Sequence, residues 1–456
     1  MSKKVIIVGG GISGLSTAHF LHQAGISVKI IESRQEPGGN LLSSSSSGYL
    51  LEHGPNSTLH KPGREDDALG RLMDGVGLTP LEANPLANKR YIVKNKKLIA
   101  LPGSPLSFLT TKAFSVKAKL RLLLEPFIGG SIKEESIAQF VERRLGREFL
   151  DYAINPFVSG VYAGNVHNLS VQAATAKIYA LERDHGSLIK GALFGRQKNL
   201  SGMPKGRLIS FKNGMGELPQ AICRTLPGDS IMVDTKVVRL KRVKNRWQVF
   251  WEGSGGKAGI EEGEQVILST PASQTAKILE DTSLVASKLL SSIHYPPILS
   301  ITLGYPQERV AHSLDGFGFL VPRKENIRTL GTLFSTTLFP GRAPEGQVLL
   351  TNFIGGATDL AVERTGDREL AAVVASEVSH LLGIEGRPDF VQATRYRESI
   401  PQYTMGHLEK LANIDRALAE NRGLHLRCNW SGGISVGDCV RNGELLAKDI
   451  ISGGSS

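Results

Sequence analysis

Val5-Ile6-Ile7-Val8 is a continuous β-branched apolar run, the pattern of a strand buried on both faces. Gly9 to Gly14 interrupts it, and Leu15, Ala18, Phe20 and Leu21 then recur at helical positions. Val28-Lys29-Ile30-Ile31 reads as a second strand ending at Glu32. Ser43 to Ser47 is an unbroken serine run and is expected to form a flexible loop. Tyr49 to His53 resumes as a strand and stops at Gly54-Pro55-Asn56-Ser57, where Gly-Pro fixes a turn. Lys89 to Val93 and Lys96 to Ile99 read as two short strands about a turn, closed by Leu101-Pro102.

From about Ser104 to about Lys205 the pattern becomes helical. Val116, Leu120, Leu123, Leu124 and Phe127 fall on one stripe, with Lys117, Lys119 and Arg121 off it, until Pro126 ends or kinks the helix. Such a stripe ordinarily faces a core, and the alternative is a basic amphipathic helix lying on an anionic membrane. Leu181 to Ile189 reads as a further capped helix, and Phe211 to Pro219 as a glycine turn entering a helix. Strands follow at Ile231 to Val233, Val237 to Leu240 and Trp247 to Trp251, then a loose polar hairpin from Gly253 to Gly263. Val266 to Ser269 reads as a buried parallel strand ending in Thr270-Pro271-Ala272. Strands between about Leu289 and Arg395 suggest a mixed sheet, and Asn429 to Val440 is a glycine turn leading into a helix.

Composition narrows the class only slightly. The 456 residues suffice for two or three domains, and 41% hydrophobic with 21% charged residues is ordinary for a globular protein. The formal charge of +11 favours anionic partners: nucleic acid, an acidic membrane or an acidic substrate. Cys223, Cys428 and Cys439 make no C-x-x-C pair, which points to a reducing compartment. The histidines show no ligand spacing, so no metal is expected. The first strand begins at the N-terminus and no apolar run reaches the ~18 residues of a membrane span. The expectation is a soluble or peripherally attached protein.

The chemistry starts at Gly9-Gly10-Gly11-Ile12-Ser13-Gly14. A G-x-G-x-x-G between strand and helix is the dinucleotide-binding arrangement. The first glycine permits the turn, the second lets backbone approach a pyrophosphate, and the third lets helix and strand touch. The helix N-terminus supplies N–H groups to phosphate. Glu32 stands where an acidic side chain can accept from ribose hydroxyls. Gly38-Gly39 just beyond it resembles the extended signature of FAD-binding proteins. With no second fingerprint in the chain, a separate NAD(P)H module is not expected, so electrons should come from the substrate and leave to oxygen or another small acceptor. Arg90 reads as a solvated strand residue or as a bidentate grip for a carboxylate.

Seven stretches are together more distinctive: Glu52 to Ser57 (EHGPNS), Ser159 to Ser170, Leu181 to Gly191, Gly316 to Pro322, Thr329 to Ser335, Ile400 to Leu408 and Gly433 to Val440. Through them the whole chain resembles the FAD-dependent, oxygen-using protoporphyrinogen oxidases of haem and chlorophyll synthesis, within the flavin amine oxidase superfamily. The resemblance implies an α/β protein with a discontinuous Rossmann-like FAD-binding domain (1–88, 207–288 and 409–456). It also implies a mixed-sheet substrate domain (89–100 and 289–408) and a helical membrane-associated domain (101–206). It places non-covalent FAD along Gly9 to Gly14, Glu32, Ser33, Asn40 and Gly54 to Ser57, with Val237 holding the adenine and Ile434, Ser435 and Val436 near the flavin. It assigns Arg90 to a substrate propionate, Leu320, Leu333 and Phe353 to the walls around the tetrapyrrole, and Gly160 to a backbone contact with it. Trp430 departs from the smaller aromatic often found there.

On this resemblance the reaction removes six electrons from protoporphyrinogen IX in three two-electron steps, with oxygen reduced to hydrogen peroxide. The partners implied are the porphyrinogen, oxygen, an anionic membrane surface on the cytoplasmic face of the inner membrane, the next enzyme of haem synthesis and, as an open arrangement, a second copy of the chain. No nucleic acid and no metal are implied, and no catalytic acid–base pair stands out. Coproporphyrinogen III, with four propionates, is the alternative substrate, kept open by Lys89, Lys94, Lys96 and Lys97. An amine oxidase with covalent flavin is disfavoured because Ile434 follows Gly432-Gly433 where a cysteine is needed. A binding protein that holds FAD only structurally is the reading from another class.

Overall fold

The computed structural model describes residues 4–194, 206–398 and 400–453. The run Val5 to Val8 forms the central strand, Lys4–Val8, of a five-stranded parallel sheet. Its neighbours are Ser27–Ile31 and Gln265–Leu268, with Ile231–Met232 and Leu424–Leu426 at the edges. The absence of alternation now has its reason. Val5 and Ile7 enter one core with the helices Ile12–Gln23 and Val436–Ser452, while Ile6 and Val8 enter a second core with Trp247, Val249 and Ala272. Burial of each such side chain contributes about 1.5–3 kcal/mol.

The strands predicted after Leu289 join the two around Arg90 in a seven-stranded sheet. Its order is Phe390–Tyr396, Ile298–Pro306, Gln347–Gly355, Thr329–Phe334, Gly316–Leu320, Lys89–Lys94 and Lys97–Ala100. Pairing is antiparallel except between Gly316–Leu320 and Lys89–Lys94, which run parallel. One face is a closed core. Leu299, Ile301, Phe319, Phe334, Leu350 and Ile354 pack there with Leu370, Val374 and Val378 of helix Asp367–Leu382. The opposite face is covered only at intervals.

Three sequence expectations change, the third of them in the helical segment. Ser43–Ser46 is a strand rather than a loop, paired with Tyr49–Glu52 through a turn in which Ser47 and Gly48 take φ of 51° and 80°. A two-residue turn with both φ positive matches strand twist, and the partner strand supplies the hydrogen bonds that serine composition does not advertise. The Leu181 to Ile189 stretch is also two helices. Gly186 ends Ala176–His185 in the left-handed conformation, and a new helix starts at Leu188. The buried Glu125 carboxylate caps that start, accepting from the N–H groups of Leu188 (2.9 Å) and Ile189 (3.2 Å) while paired with buried Arg144.

The helical segment has small cores of its own, around Phe140, Leu150 and Leu169 and around Phe114, Ala118 and Phe149. The amphipathic stripe does not join them. Val116 is 71% exposed, Leu120 59%, Leu123 66%, Leu124 58% and Phe127 85%. Leu106, Leu109 and Ile132 are exposed as well. The core-facing reading of that helix is therefore overturned. Among the described residues no helix is long and apolar enough to cross a membrane.

Candidate functional site

The fingerprint folds as its glycines require. Gly9 has φ +102°, and a Cβ on Gly14 would stand 2.2 Å from the Gly9 carbonyl oxygen, so the first and third glycines touch. Helix Ile12–Gln23 starts at Gly11 with no side-chain cap, leaving its first N–H groups for a ligand. The second glycine pair docks onto this loop. The Gly38 N–H donates to the Gly10 carbonyl (2.7 Å), and a Cβ on Gly39 would lie 3.1 Å from the Gly11 Cα. A cradle formed of bare backbone on two sides suits a pyrophosphate, which needs N–H donors and no intervening side chains.

Glu32 is buried beside it. One carboxylate oxygen accepts from the Gly10 N–H (2.6 Å), and the other accepts from the Arg34 N–H (2.8 Å) and the Ser33 hydroxyl (3.3 Å). The side chain thus ties the second strand to the fingerprint, with lone-pair capacity left for a ribose hydroxyl. Backbone bonds from Thr235 to the Glu32 carbonyl (2.9 Å) and from Asp234 to the Arg34 carbonyl (3.0 Å) bring Val237 to this end. The ladder of strand Thr235–Val243 slips between Val237 and Arg239. Such a bulge frees main-chain groups from sheet pairing.

Asn40 and Gly54 meet across the cradle, where a Cβ on Gly54 would fall 1.8 Å from the Asn40 carbonyl oxygen. Pro55 is exposed there, with Asn56 and Ser57 half-buried. At the tail, Gly432 and Gly433 take φ of +79° and +122° and lead through Ile434 to helix Val436–Ser452. That helix end is partly self-capped, because Ser435 accepts from the Asp438 N–H, so it has fewer free donors than the first helix.

A clamp shapes the turn before it. The Tyr403 hydroxyl donates to the Asn429 carbonyl (2.5 Å) and accepts from the Gly433 N–H (3.1 Å). Tyr403 stacks on His407, whose Nε2 meets the Trp430 carbonyl at 3.0 Å, and burial pushes the His407 pKa down to about 4. Trp430 is buried and donates to the Thr270 carbonyl (3.1 Å), so the large indole is accommodated in the core.

The open face of the seven-stranded sheet collects the other candidates. Arg90 is opposite Gly318, and Gly318 is opposite Leu333; Leu320 is opposite Gly331, and Gly331 is opposite Phe353. Because side chains alternate along a strand, Arg90, Leu320, Leu333 and Phe353 share this one face. Gly160, on helix Asn155–Tyr162, lies over Leu320. Tyr49 covers the far side of the same face at Gly304. The Tyr396 hydroxyl is on this face too, buried and without a hydrogen-bond partner among the described residues.

The basic residues near Arg90 sort themselves out. Lys89 pairs with Asp315, and Lys94 pairs with Glu148 (3.1 Å) and the Ala113 carbonyl (2.8 Å). The Arg90 guanidinium lies over the Phe317 ring at 5.2 Å and has no carboxylate partner among the described residues. It is a cation ready for an outside anion. Among the described residues no group of three or more His, Cys, Asp or Glu is placed to hold a metal.

Two hydroxyls and a cluster of aromatic stacking contacts escaped sequence reasoning: Tyr403, Tyr396 and the His407 stack. Asn429 and Gly433, which Tyr403 clamps, are far away in the chain and no local spacing marks that role, whereas the Tyr403–His407 stack joins residues four apart within Ile400 to Leu408.

The family model for flavin containing amine oxidoreductase matches residues 12–451. Protoporphyrinogen oxidase 2, chloroplastic/mitochondrial, of Arabidopsis thaliana is 31% identical over 99% of this chain and 94% of its own length. Coproporphyrinogen III oxidase of Bacillus subtilis (strain 168) is 26% identical over 99% of this chain and 98% of its own. A crystal structure from Exiguobacterium sp. 255-15, provisionally described as a protoporphyrinogen oxidase, superposes at TM-score 0.82 with 22% identity, covering 99% of both chains.

Proposed function

The chain belongs to the flavin containing amine oxidoreductase family and is an FAD-dependent oxidoreductase, and from that premise we propose that it oxidises protoporphyrinogen IX to protoporphyrin IX. The observation that carries this reading is the shared sheet face. Leu320, Leu333 and Phe353 offer an apolar wall to a flat macrocycle, and Arg90 offers an unpaired cation beside it. A large apolar ligand with carboxylates needs both: dispersion contacts over its rings and a fixed charge that orients it.

When bound, FAD would supply the two-electron redox chemistry that each of the three oxidations requires, with oxygen as the final acceptor and hydrogen peroxide as its product. Gly9 to Gly14 with Gly38 and Gly39 would hold its pyrophosphate, Glu32 its ribose, and Val237 its adenine. The segments Gly54 to Ser57 and Ile434 to Val436 would lie along the rest of it. Non-covalent binding is supported by the thiols: burial pushes the Cys428 pKa up to about 12 and the Cys439 pKa up to about 11, so both stay protonated and poorly nucleophilic. Gly160 and Leu320 would keep the substrate ring close to the sheet, and the strand Tyr49–Glu52 would close the opposite end against water.

The division into a discontinuous FAD domain, a sheet domain for substrate and a helical domain for membrane contact is part of the same reading. Its support is the outward stripe from Val116 to Phe127, carried on a segment where Lys112 and Lys117 are also exposed, the arrangement that suits an anionic lipid surface. Coproporphyrinogen III is the competing substrate. Steady-state oxidation of both porphyrinogens by the FAD-loaded protein, with porphyrin fluorescence and oxygen uptake recorded, decides between them. Loss of the reading would be an FAD-loaded protein that oxidises neither.

A further inference from the structure

A cavity of about 490 Å³ opens where the helical segment meets the end of strand Gly316–Leu320. It is lined by Arg147, Asp151, Asn155, Arg323 and Lys324, three cations against one carboxylate. Asp151 is shared by Arg147 (3.2 Å) and Lys324 (3.5 Å), and Glu142 also reaches Arg147 at 3.6 Å. Arg323 has no carboxylate contact among the described residues. It donates to the Thr358 carbonyl (2.8 Å), and burial lowers its pKa. Arg323 is exposed and makes no ion pair among the described residues, and the Asp359 carboxylate acts on it from beyond ion-pair distance, which leaves its guanidinium accessible to an outside anion.

The cavity lies next to the sheet face. Asn155 begins the helix that carries Gly160, about 7–8 Å further along its axis. Arg323 follows Leu320 after Val321-Pro322. Lys94 occupies the same sheet face as Arg90, about 13 Å along the strand, and lies over the Tyr152 ring at 4.5 Å, with Lys324 on the same ring at 5.7 Å. Arg90 therefore stands at one end of the apolar floor and the Arg323 cavity at the other.

We propose that this cavity is a second carboxylate-binding subsite of the macrocycle cleft, in which Arg323 and Lys324 hold carboxylates on the edge of the substrate away from Arg90. The proposal rests on the porphyrinogen reading above and deepens it. A porphyrinogen with two propionates on one edge engages Arg90 alone, whereas one with four reaches both ends. Arg323 and Lys324 are then the residues that set how strongly the enzyme favours carboxylate-rich substrates.

Binding of two unreactive porphyrins to the FAD-loaded protein tests it: mesoporphyrin IX, with two carboxylates, and coproporphyrin III, with four, each followed by fluorescence quenching. Arg323→Met and Lys324→Met should each lower the ratio of coproporphyrin to mesoporphyrin affinity about fivefold, the loss of one charge pair. Asp151→Asn, which removes the competing carboxylate, should raise that ratio. Equal weakening of both porphyrins, or a ratio unmoved in all three variants, overturns the subsite. If the wild type oxidises neither porphyrinogen, the functional reading fails, and the affinity ratios still decide the cavity's role.

Discussion

Gly160 rests directly on Leu320: a methyl group at Gly160 would come 2.5 Å from the Leu320 Cδ2. The contact joins the helical segment to the open face of the seven-stranded sheet. The obstructing atom is the tip of a flexible side chain, so Gly160→Ala should fold and displace Leu320. KM for the porphyrinogen should rise about three- to tenfold with little change in Tm, as expected when a cleft is narrowed without a loss of core. Adding Leu320→Ala should restore most of the KM. A large Tm loss in the single variant would instead make Gly160 a packing residue.

Among the described residues Arg90 has no carboxylate partner, so removing it should cost substrate binding rather than stability. Arg90→Ala should raise KM about 10- to 100-fold and leave kcat within about threefold, because a charged hydrogen bond contributes about 1.5–3 kcal/mol in ground and transition states alike. Arg90→Lys should recover part of it, lacking the bidentate fork. An unchanged KM would remove Arg90 from the cleft.

Gly14→Ala places a methyl 2.2 Å from a backbone oxygen, and no side chain can move aside to relieve it. The purified variant should be colourless, with bound FAD below about a tenth of wild type as read from flavin absorbance, an affinity loss of at least ~1.4 kcal/mol. Retention of a full yellow complement would show that the helix and the Gly9 turn can separate at small cost.

The apolar stripe is outside, so its substitution should leave folding intact. Phe127→Glu combined with Leu123→Glu should reduce co-sedimentation with vesicles containing anionic lipid about tenfold or more, with Tm within about 2 °C of wild type. Equal binding by variant and wild type would exclude this face as the membrane contact.

His407 carries a pH signature. Its folded pKa, about 4, lies below the unfolded value of about 6.5. The neutral form is therefore the native one. Its stability contribution is full above pH 6.5, declines as pH falls from 6.5 to about 4, and is gone below that. At pH 5.0 the difference is roughly 2 kcal/mol. Urea unfolding at pH 7.5 and 5.0 should show a smaller acid loss in His407→Gln than in wild type. The comparison isolates this residue from other groups that titrate in the same window.

Much of the nucleotide half was legible in the chain itself. A buried parallel strand, a tight glycine turn and an uncapped helix each follow from local rules of burial and dihedral freedom, so Val5 to Gly14 folds as read. Gly38-Gly39 was legible as a signature, but its docking on Gly10 and Gly11 was not, since that contact forms between two separate turns. The serine run shows the reverse case: its composition has no strand preference, and pairing with Tyr49–Glu52 makes it one.

The sequence by itself determined which faces are apolar, where the backbone must turn left-handed, and which cofactor class the first turn can cradle. Only the tertiary structure decided where those faces point. Val116 to Phe127 has the same period whether it meets a core or solvent, and it meets solvent. Lys89 and Arg90 are neighbours of equal charge, yet Asp315 takes the lysine and leaves the arginine free. The parallel pairing of Lys89–Lys94 with Gly316–Leu320 sets Arg90 on the face that bears Leu320, Leu333 and Phe353. Strand register and counter-ion choice depend on residues far apart in the chain, and local pattern carries no information about either.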